Sequence, residues 1–151
     1  MNVLYLIVQV AFHSYLMYTD CLVCNQQEAG QLFLDDYDTL SPEALESVLR
    51  DKVMGAKIPS MVVTMGDRGA VYADMQGNSG ACPARNVQVK DTTGAGDAFC
   101  TGALYGAYRG MNIKDAMYFA TGVASCSLFS ANASDGVSDK PLYAVVIQHS
   151  R

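Results

Sequence analysis

The sequence predicts a protein of the α/β class, and three observations lead to this prediction. Short β-branched apolar runs end in turn residues, longer segments repeat apolar residues at helical spacing behind capping residues, and the two kinds of segment alternate. Such alternation favours three layers, with helices covering both faces of a mostly parallel sheet. The chain of 151 residues is about the size of one domain.

The composition excludes several classes of protein. Half of the residues are hydrophobic and 17% are charged, which is the balance of a folded chain rather than a disordered one. The net charge is -5 and there is no run of Lys or Arg, so no nucleic acid or membrane partner is expected. The five cysteines are odd in number and sparse, which favours a cytoplasmic location over secretion.

The first part of the chain is expected to alternate between strand and helix. Residues 1–19 are largely apolar but shorter than a membrane span of about 20 residues, and we interpret them as a buried strand or helix whose role is left open. The elements expected next are a strand at 20–24, a helix from Asn25 through Leu34, and a helix that begins at Ser41 and Pro42 and runs to about Met54. Leu45, Val48, Leu49 and Val53 form the apolar face of the last of these helices.

Strand signals dominate the middle of the chain. β-branched runs at 61–64, 70–74 and 87–90, with turn residues at 76–80, predict sheet elements and a hairpin.

Helix signals dominate the chain beyond the glycine-rich segment. Helices are expected from about Ala98 to Arg109 and from Asn112 to about Phe129. In the first, Gly102 and Gly106 lie four residues apart and indicate a backbone packed closely against a neighbour, for which the sheet is the expected candidate. A final apolar run at 142–147 is left unassigned.

The candidate chemistry lies in the segment 91–99, between a predicted strand and a predicted helix. At a helix N-terminus, the backbone amides of Gly94, Ala95 and Gly96 would form an anion site for a transferring phosphoryl group. Asp97 would accept the proton of the attacking hydroxyl. The residues alone leave an alternative open, a tight glycine turn in which Asp97 only caps the helix, because such short patterns occur often.

The longer run DTTGAGDAF resembles the second signature of the PfkB, or ribokinase-like, carbohydrate kinases. The resemblance implies a ribokinase-like three-layer α/β/α sandwich, an anion hole at the Gly-Ala-Gly turn and Asp97 as catalytic base. It also implies ATP as the phosphoryl donor and a monovalent-cation site, with potassium as its ion, built partly from Asp91 and Thr93. Thr101 departs from the family, which usually has a smaller residue there, and it is expected to crowd the packing of the helix.

Two further segments match the family in the expected order. Thr64, Gly66 and Gly69 belong to a strand and turn that resemble the family's nucleotide-binding Thr-x-Gly-x-x-Gly turn, with an ordinary β-turn as the alternative. Asn25 and Glu28 resemble the family's Asn-x-x-Glu motif, which implies a magnesium site. The same two residues also fit a capping box, and the two roles can coexist.

The resemblance covers residues 20–134 and leaves residues 1–19 and a tail at 135–151 outside it. It implies an ATP-dependent phosphotransferase that acts on a sugar or a nucleoside. Family members carry their sugar-binding residues and lid in an N-terminal half that nothing before Asp20 resembles, so the chain is expected to be truncated at its N-terminus. Family dimers often pair through the lid, which makes a homodimer compatible with the family without fixing the oligomeric state.

Two other functions compete with this one. A noncatalytic nucleotide-binding remnant would keep every matched motif and would account for the absent sugar-binding half. A thiol-redox or metal protein is suggested by Cys21 and Cys24, but no second cysteine pair or Cys-His pair completes four zinc ligands. Buried structural thiols are the simpler interpretation of these cysteines.

Overall fold

The computed structural model describes residue 16, residues 18–87 and residues 92–128. Its elements are β1 (Leu22–Asn25), α1 (Gln26–Phe33), α2 (Pro42–Ala56), β2 (Ser60–Thr64), a 3-10 turn (Gly66–Arg68), β3 (Ala70–Asp74), β4 (Ser79–Cys82), α3 (Ala95–Tyr108) and α4 (Ile113–Ser127). The predicted α/β class is confirmed. The described residues do not include the tail at 135–151, the run at 142–147 or most of the opening apolar segment. The predictions for these segments therefore stay predictions.

Side chains cap the starts of three of these helices. The Asn25 side chain accepts a hydrogen bond from the Glu28 amide at 2.8 Å, and Ser41 accepts one from the Ala44 amide at 3.2 Å. At α4, Asn112 accepts from the Asp115 amide at 2.9 Å. Because the first amides of a helix have no partner within it, each of these bonds stabilises a helix start, by about 1 kcal/mol in typical cases.

Helix α2 forms as the sequence predicts. Pro42 occupies its first turn behind the Ser41 cap, and Leu45, Leu49 and Val53 are fully buried. The spacing of these three residues places them on one face. The opposite face carries charged side chains, so α2 is an amphipathic helix with one side for the core and one for solvent.

The four strands form one sheet in the order β1-β2-β3-β4. Neighbours β2 and β3, and neighbours β3 and β4, are joined by short turns, which only antiparallel pairs allow. The connection from β1 to β2 contains two helices, as a parallel crossover does. The sheet is therefore mixed.

Strand β4 begins inside the segment 76–80 that the sequence predicts as turn residues, so that prediction is partly wrong. Val87 lies in no strand, and residues 88–90 fall outside the described part of the chain. Asp74 and Asn78 close the hairpin before β4, with the Asp74 amide donating to the Asn78 carbonyl at 2.9 Å. In β4, a Cβ on Gly80 would lie 2.7 Å from the Tyr72 hydroxyl. A residue larger than glycine would therefore clash with the Tyr72 side chain.

Contacts within the chain define two compact units, Met1–Val63 with Val71–Gly80, and Thr64–Ala70 with Ala81–Arg151. In the second unit α3 packs directly on α4. A Cβ on Gly102 would lie 2.7 Å from the Ala120 Cα, and one on Gly106 would lie 2.8 Å from the Ala116 Cβ. The expectation that these glycines face the sheet is wrong, because the close neighbour is helix α4.

Candidate active site

Helix α3 begins in the glycine turn without a side-chain cap. Gly94 occupies the capping position in the left-handed region, with φ 80° and ψ 0°, and makes no side-chain hydrogen bond there. The Ala95 amide donates to the Thr92 carbonyl at 3.2 Å, and the Ala98 amide donates to Gly94 at 2.9 Å. The amides of Gly96 and Asp97 lie between these two bonds, where a helix has no internal acceptor to offer them.

The space around this turn is open. Gly96 is exposed, and a Cβ built on it would meet no atom within 4 Å. Asp97 lies in the first turn of α3 and is exposed as well. The turn therefore leaves open space beside the Gly96 amide and the Asp97 carboxylate, whereas the Ala95 amide already has the Thr92 carbonyl as its partner.

Thr101 does not crowd the helix packing, contrary to the expectation from the sequence. Its side chain is exposed, and its hydroxyl donates to the Asp97 carbonyl at 2.8 Å. A threonine can make this bond to the residue four positions earlier in a helix, so the spacing was a signal that could have revealed it. The Thr101 hydroxyl thus adds a hydrogen bond to the backbone of Asp97, whose carboxylate is the candidate base.

The hairpin turn at 64–69 is closed by its own backbone. The Met65 amide donates to the Gly69 carbonyl at 2.8 Å, and the Gly69 amide donates to the Gly66 carbonyl at 3.1 Å. Gly69 has φ 96°, and a Cβ there would lie 2.1 Å from the Cys82 carbonyl oxygen. Gly66 has φ 60° but faces open space, and Thr64 is half-buried beside it. In this turn Gly69 is required by packing, and Gly66 is the glycine that a ligand could approach.

Asn25 and Glu28 form a complete capping box at the start of α1. The Glu28 carboxylate accepts a hydrogen bond from the Asn25 amide at 2.9 Å, in return for the bond from the Glu28 amide to Asn25. Both residues are exposed. The capping alternative is therefore realised in the structure, while the second oxygen of the carboxylate could still serve as a metal ligand.

The predicted monovalent-cation residues are only partly described. Thr93 lies in the exposed turn before Gly94, and Asp91 falls outside the described residues. Within the described ranges, no group of three or more His, Cys, Asp and Glu side chains could hold a metal ion.

An open groove of about 670 Å³ in the first unit is acidic. Its lining is Gln26, Gln27, Gly30, Gln31, Leu34, Asp35, Asp36, Tyr37 and Asp38. The buried Tyr37 hydroxyl has no hydrogen-bond partner among the described residues, and desolvation, with the Asp35 carboxylate adding to it, raises its pKa to about 12. Because three aspartates repel phosphate, the glycine turns are the better place for a nucleotide.

Three of the five cysteines are poor candidates for redox thiols. Desolvation raises the pKa of the Cys21, Cys82 and Cys126 thiols above the ordinary value. A raised pKa leaves less thiolate, which is the reactive form.

No helix in the described part of the chain is long and apolar enough to cross a membrane.

Residues 3–140 match the protein family described as pfkB family carbohydrate kinase. The chain belongs to the PfkB family of carbohydrate kinases. A ribokinase from Schizosaccharomyces pombe is 31% identical over 132 residues, which cover 85% of the chain and 40% of that protein. A 1-phosphofructokinase from Haemophilus influenzae is 31% identical over 91 residues, which cover 60% of the chain and 28% of that protein.

Solved structures confirm the ribokinase-like fold of this PfkB chain. The ribokinase of Arabidopsis thaliana, solved with ribose and ATP, superposes with a TM-score of 0.78 at 21% identity, covering 90% of the chain and 43% of that protein. A probable sugar kinase from Rhizobium etli gives a TM-score of 0.71 at 25% identity, covering 94% and 40%. The chain thus spans less than half the length of these PfkB relatives and ribokinase-like neighbours.

Proposed function

We propose that this chain supplies the nucleotide-binding turns and the proton acceptor of an ATP-dependent carbohydrate kinase. The observation that carries the proposal is the start of α3. There an exposed carboxylate, open space and helix-terminal amides that no side chain caps occur together on one helix. Membership of the PfkB family supports the same reaction.

In the proposed reaction, the acceptor hydroxyl attacks the terminal phosphorus of ATP and gives its proton to a carboxylate oxygen of Asp97. The new bond joins the acceptor oxygen to phosphorus, the bond from phosphorus to the bridging oxygen breaks, and ADP leaves. The amides of Gly94, Ala95 and Gly96 stabilise the negative charge on the moving group, and one such donor is typically worth about 3 kcal/mol. For Ala95, the phosphate would compete with the Thr92 carbonyl that now accepts its hydrogen bond.

The hairpin turn belongs to the proposed nucleotide site, and Asn25 with Glu28 is a proposed magnesium site. Thr64 and Gly66 lie along the nucleotide, and Gly69 keeps the turn in shape. Glu28, with Asn25, would help to hold Mg²⁺, which accepts oxygen ligands and would neutralise phosphate charge. Glu28 fits this role because it is exposed and retains a carboxylate oxygen beyond the one bound to the Asn25 amide.

Further parts of the proposal rest on the relatives. Potassium activation through Asp91 and Thr93 is supported by the phosphofructokinase-2 of Escherichia coli, 20% identical, which has been solved with potassium. We propose a sugar or a nucleoside as acceptor. A cytoplasmic location is consistent with the five cysteines being free thiols. The same E. coli enzyme has been solved as a tetramer, so self-association of this chain is compatible with its fold family.

Calorimetric titration of the chain with ATP and Mg²⁺ tests the nucleotide site. We expect binding at millimolar nucleotide or below, and a loss of binding in Gly96→Asp, which places a carboxylate against the phosphates. Gly55→Asp is the matched control, because Gly55 also faces open space but lies on α2. Folded chain that binds no nucleotide at millimolar concentration would contradict the proposal.

A second assay separates a kinase from a noncatalytic remnant. The chain is fused to the part of the S. pombe ribokinase that lies outside the matched region, and the fusion is given ATP with a panel of pentoses, hexoses and nucleosides. We expect sugar phosphate from the fusion and, at most, slow ATP hydrolysis from the chain alone, because the rate depends on holding the acceptor in line. A fusion that binds ATP but transfers nothing would favour the remnant.

A further inference from the structure

The acidic groove of the first unit has no part in the proposed kinase reaction. Its volume of about 670 Å³ falls within the range of roughly 300–1,000 Å³ that is typical of small-molecule sites. The groove follows one face of α1 from Gln26 to Leu34, a length of about 12 Å at the usual rise of a helix, and continues along the loop at 35–38. An elongated groove of this kind suits a linear ligand.

The charges around the groove favour a cation. Asp35, Asp36 and Asp38 are exposed in its lining, and none of the described lining residues is basic. The three aspartates directly follow the C-terminal end of α1, which carries a partial negative charge, and the last turn of α1 contains no basic residue. The Lys52 ammonium lies 5.2 Å from the centre of the Phe33 ring, but neither residue is among the described lining residues.

The loop that carries the aspartates is fixed by its own hydrogen bonds. The Asp35 amide donates to the Gly30 carbonyl at 2.9 Å, and a Cβ on Gly30 would lie 2.6 Å from the Asp35 carbonyl oxygen. The Asp36 amide donates to Oδ1 of Asp35, and the Asp38 amide donates to Oδ1 of Asp36, each at 3.0 Å. Each of the two accepting carboxylates therefore keeps a second oxygen for a ligand.

The groove also contains a buried hydroxyl that the described chain does not satisfy. Tyr37 lines the groove and is 1% exposed, and its hydroxyl has no hydrogen-bond partner among the described residues. The Gln26 side-chain amide donates to the Tyr37 carbonyl at 2.7 Å and holds this residue in place. Besides desolvation, the charge of the Asp35 carboxylate raises the pKa of the hydroxyl, so the two groups lie close together. An N–H group bound at Asp35 would give the hydroxyl the partner that a buried polar group requires.

The spacing of the charges indicates which kind of cation fits. Among the described residues, no three acidic, Cys or His side chains lie so that they could hold a metal ion together. A chain of several ammonium groups can instead meet separate carboxylates one at a time, but its alkyl stem needs an apolar contact. Leu34 offers that contact, since it lines the groove and is 63% exposed. Its φ is 57°, in the left-handed region where glycine is the usual residue at the end of a helix.

We propose that the groove binds a linear aliphatic polyamine, whose ammonium groups contact the aspartates and the Tyr37 hydroxyl and whose alkyl stem lies on Leu34. This inference does not rest on the proposed kinase function, because no residue of the proposed phosphate-binding turns lines the groove.

Calorimetric titration of the 151-residue chain with spermidine, at constant ionic strength, tests the site. We expect Asp35→Asn and Asp38→Asn each to weaken binding by at least about fivefold, because each removes a charged hydrogen-bond acceptor. Asp51→Asn is the matched control, since Asp51 is exposed on α2 and is not among the described lining residues. It removes the same charge, and we expect less than about a twofold change.

Two further variants separate binding from folding. Tyr37→Phe removes only a hydroxyl without a partner, so the melting temperature should stay the same or rise while the affinity for spermidine falls by at least about threefold. Leu34→Gly should raise the melting temperature, because glycine adopts a positive φ without strain, and should also weaken binding. Unchanged affinity in Tyr37→Phe and in the aspartate variants would overturn the proposal, as would no binding of spermidine at millimolar concentration.

Other probes identify other ligands, and each of these results also overturns the proposal. Mg²⁺ that displaces spermidine at an equal concentration would assign the groove to a metal ion. A tetralysine peptide that binds more tightly than spermidine, and loses affinity in Asp35→Asn, would assign it to a basic protein segment. A neutral diol with a similar alkyl stem that binds as well as spermidine would show that the groove does not recognise charge.

Discussion

The starts of α3 and α4 contain the same acidic residue at the same position but use it differently. Asp97 and Asp115 are each the third residue of their helix. At α4, Asn112 accepts a bond from the Asp115 amide and donates its own side-chain amide to the Asp115 carboxylate at 2.9 Å. At α3, Gly94 offers no side chain, and the turn faces open space. The α4 start is complete in itself, whereas the α3 start is available to a ligand.

This difference separates a capped helix start from a candidate anion site. Both starts have the same dipole and an acid that suits it, so charge alone does not distinguish them. The distinguishing feature is whether the chain satisfies its own first amides. Asn25, Ser41 and Asn112 do so at the other helices, which leaves α3 as the uncapped start among the described helices.

The largest expected effect comes from removing each of the two acids in the active fusion. Asp97→Asn should lower turnover by about a hundredfold to ten-thousandfold, because the amide cannot accept the proton. Asp115→Asn should leave turnover within about twofold. Each substitution should lower the free energy of unfolding by a similar amount, about 0.3–1 kcal/mol, since each removes one charge from a helix start. Equal turnover in the two variants would remove Asp97 from the chemistry.

Much of this contrast could be predicted from the sequence, but its physical basis could not. The Gly-Ala-Gly-Asp segment located the turn and the candidate base, and Ser41 with Pro42 located the start of α2. The start of α3 was predicted at about Ala98 rather than Ala95, because glycines have low helix propensity and conceal a first turn. That Gly94 and not Asp97 occupies the capping position depends on the backbone geometry of the turn, which the residue pattern did not fix.

Other features depended on tertiary contacts. The spacing of Gly102 and Gly106 correctly indicated a close approach, but periodicity does not name the neighbour, which proved to be α4. Strand β4, with the sequence SGAC, lacks the β-branched residues that mark strands, and Tyr72 packed over Gly80 accounts for its glycine.

The next effect concerns the capped start. Asn112→Ala removes the side-chain bond to the Asp115 amide and should lower the free energy of unfolding by about 1 kcal/mol. Affinity for ATP should stay unchanged, because the α4 start has no place in the proposed site. Denaturant unfolding and calorimetry on the same variant measure the two quantities. A clear loss of ATP affinity would show that the two helix starts are not independent.

Gly96→Ala should act in the opposite way at the uncapped start. A Cβ at this position meets no atom within 4 Å, and alanine favours a helix more than glycine does, so stability should rise by up to about 1 kcal/mol. ATP affinity should fall several-fold, because the added methyl group occupies space that a phosphate needs near the amide. The same two measurements apply. Higher stability with unchanged affinity would mean that phosphate does not approach this amide.

The smallest effect on stability is expected at the start of α1, where the Glu28 side chain is both a helix cap and a proposed Mg²⁺ ligand. Glu28→Gln keeps a side-chain oxygen that can accept the Asn25 amide hydrogen bond, so the capping box should persist and the free energy of unfolding should change by no more than about 0.5 kcal/mol. The neutral amide is a poorer ligand for Mg²⁺ than a carboxylate, so the Mg²⁺ concentration for half-maximal ATP binding should rise. Glu28→Ala is the informative companion, because it removes both oxygens and should lower the free energy of unfolding and also raise the Mg²⁺ concentration for half-maximal ATP binding. If Glu28→Gln leaves the Mg²⁺ requirement unchanged while Glu28→Ala only destabilises the protein, then Glu28 is a cap alone. The start of α1 would then belong with that of α4, and α3 would be the one described helix start with a direct part in binding.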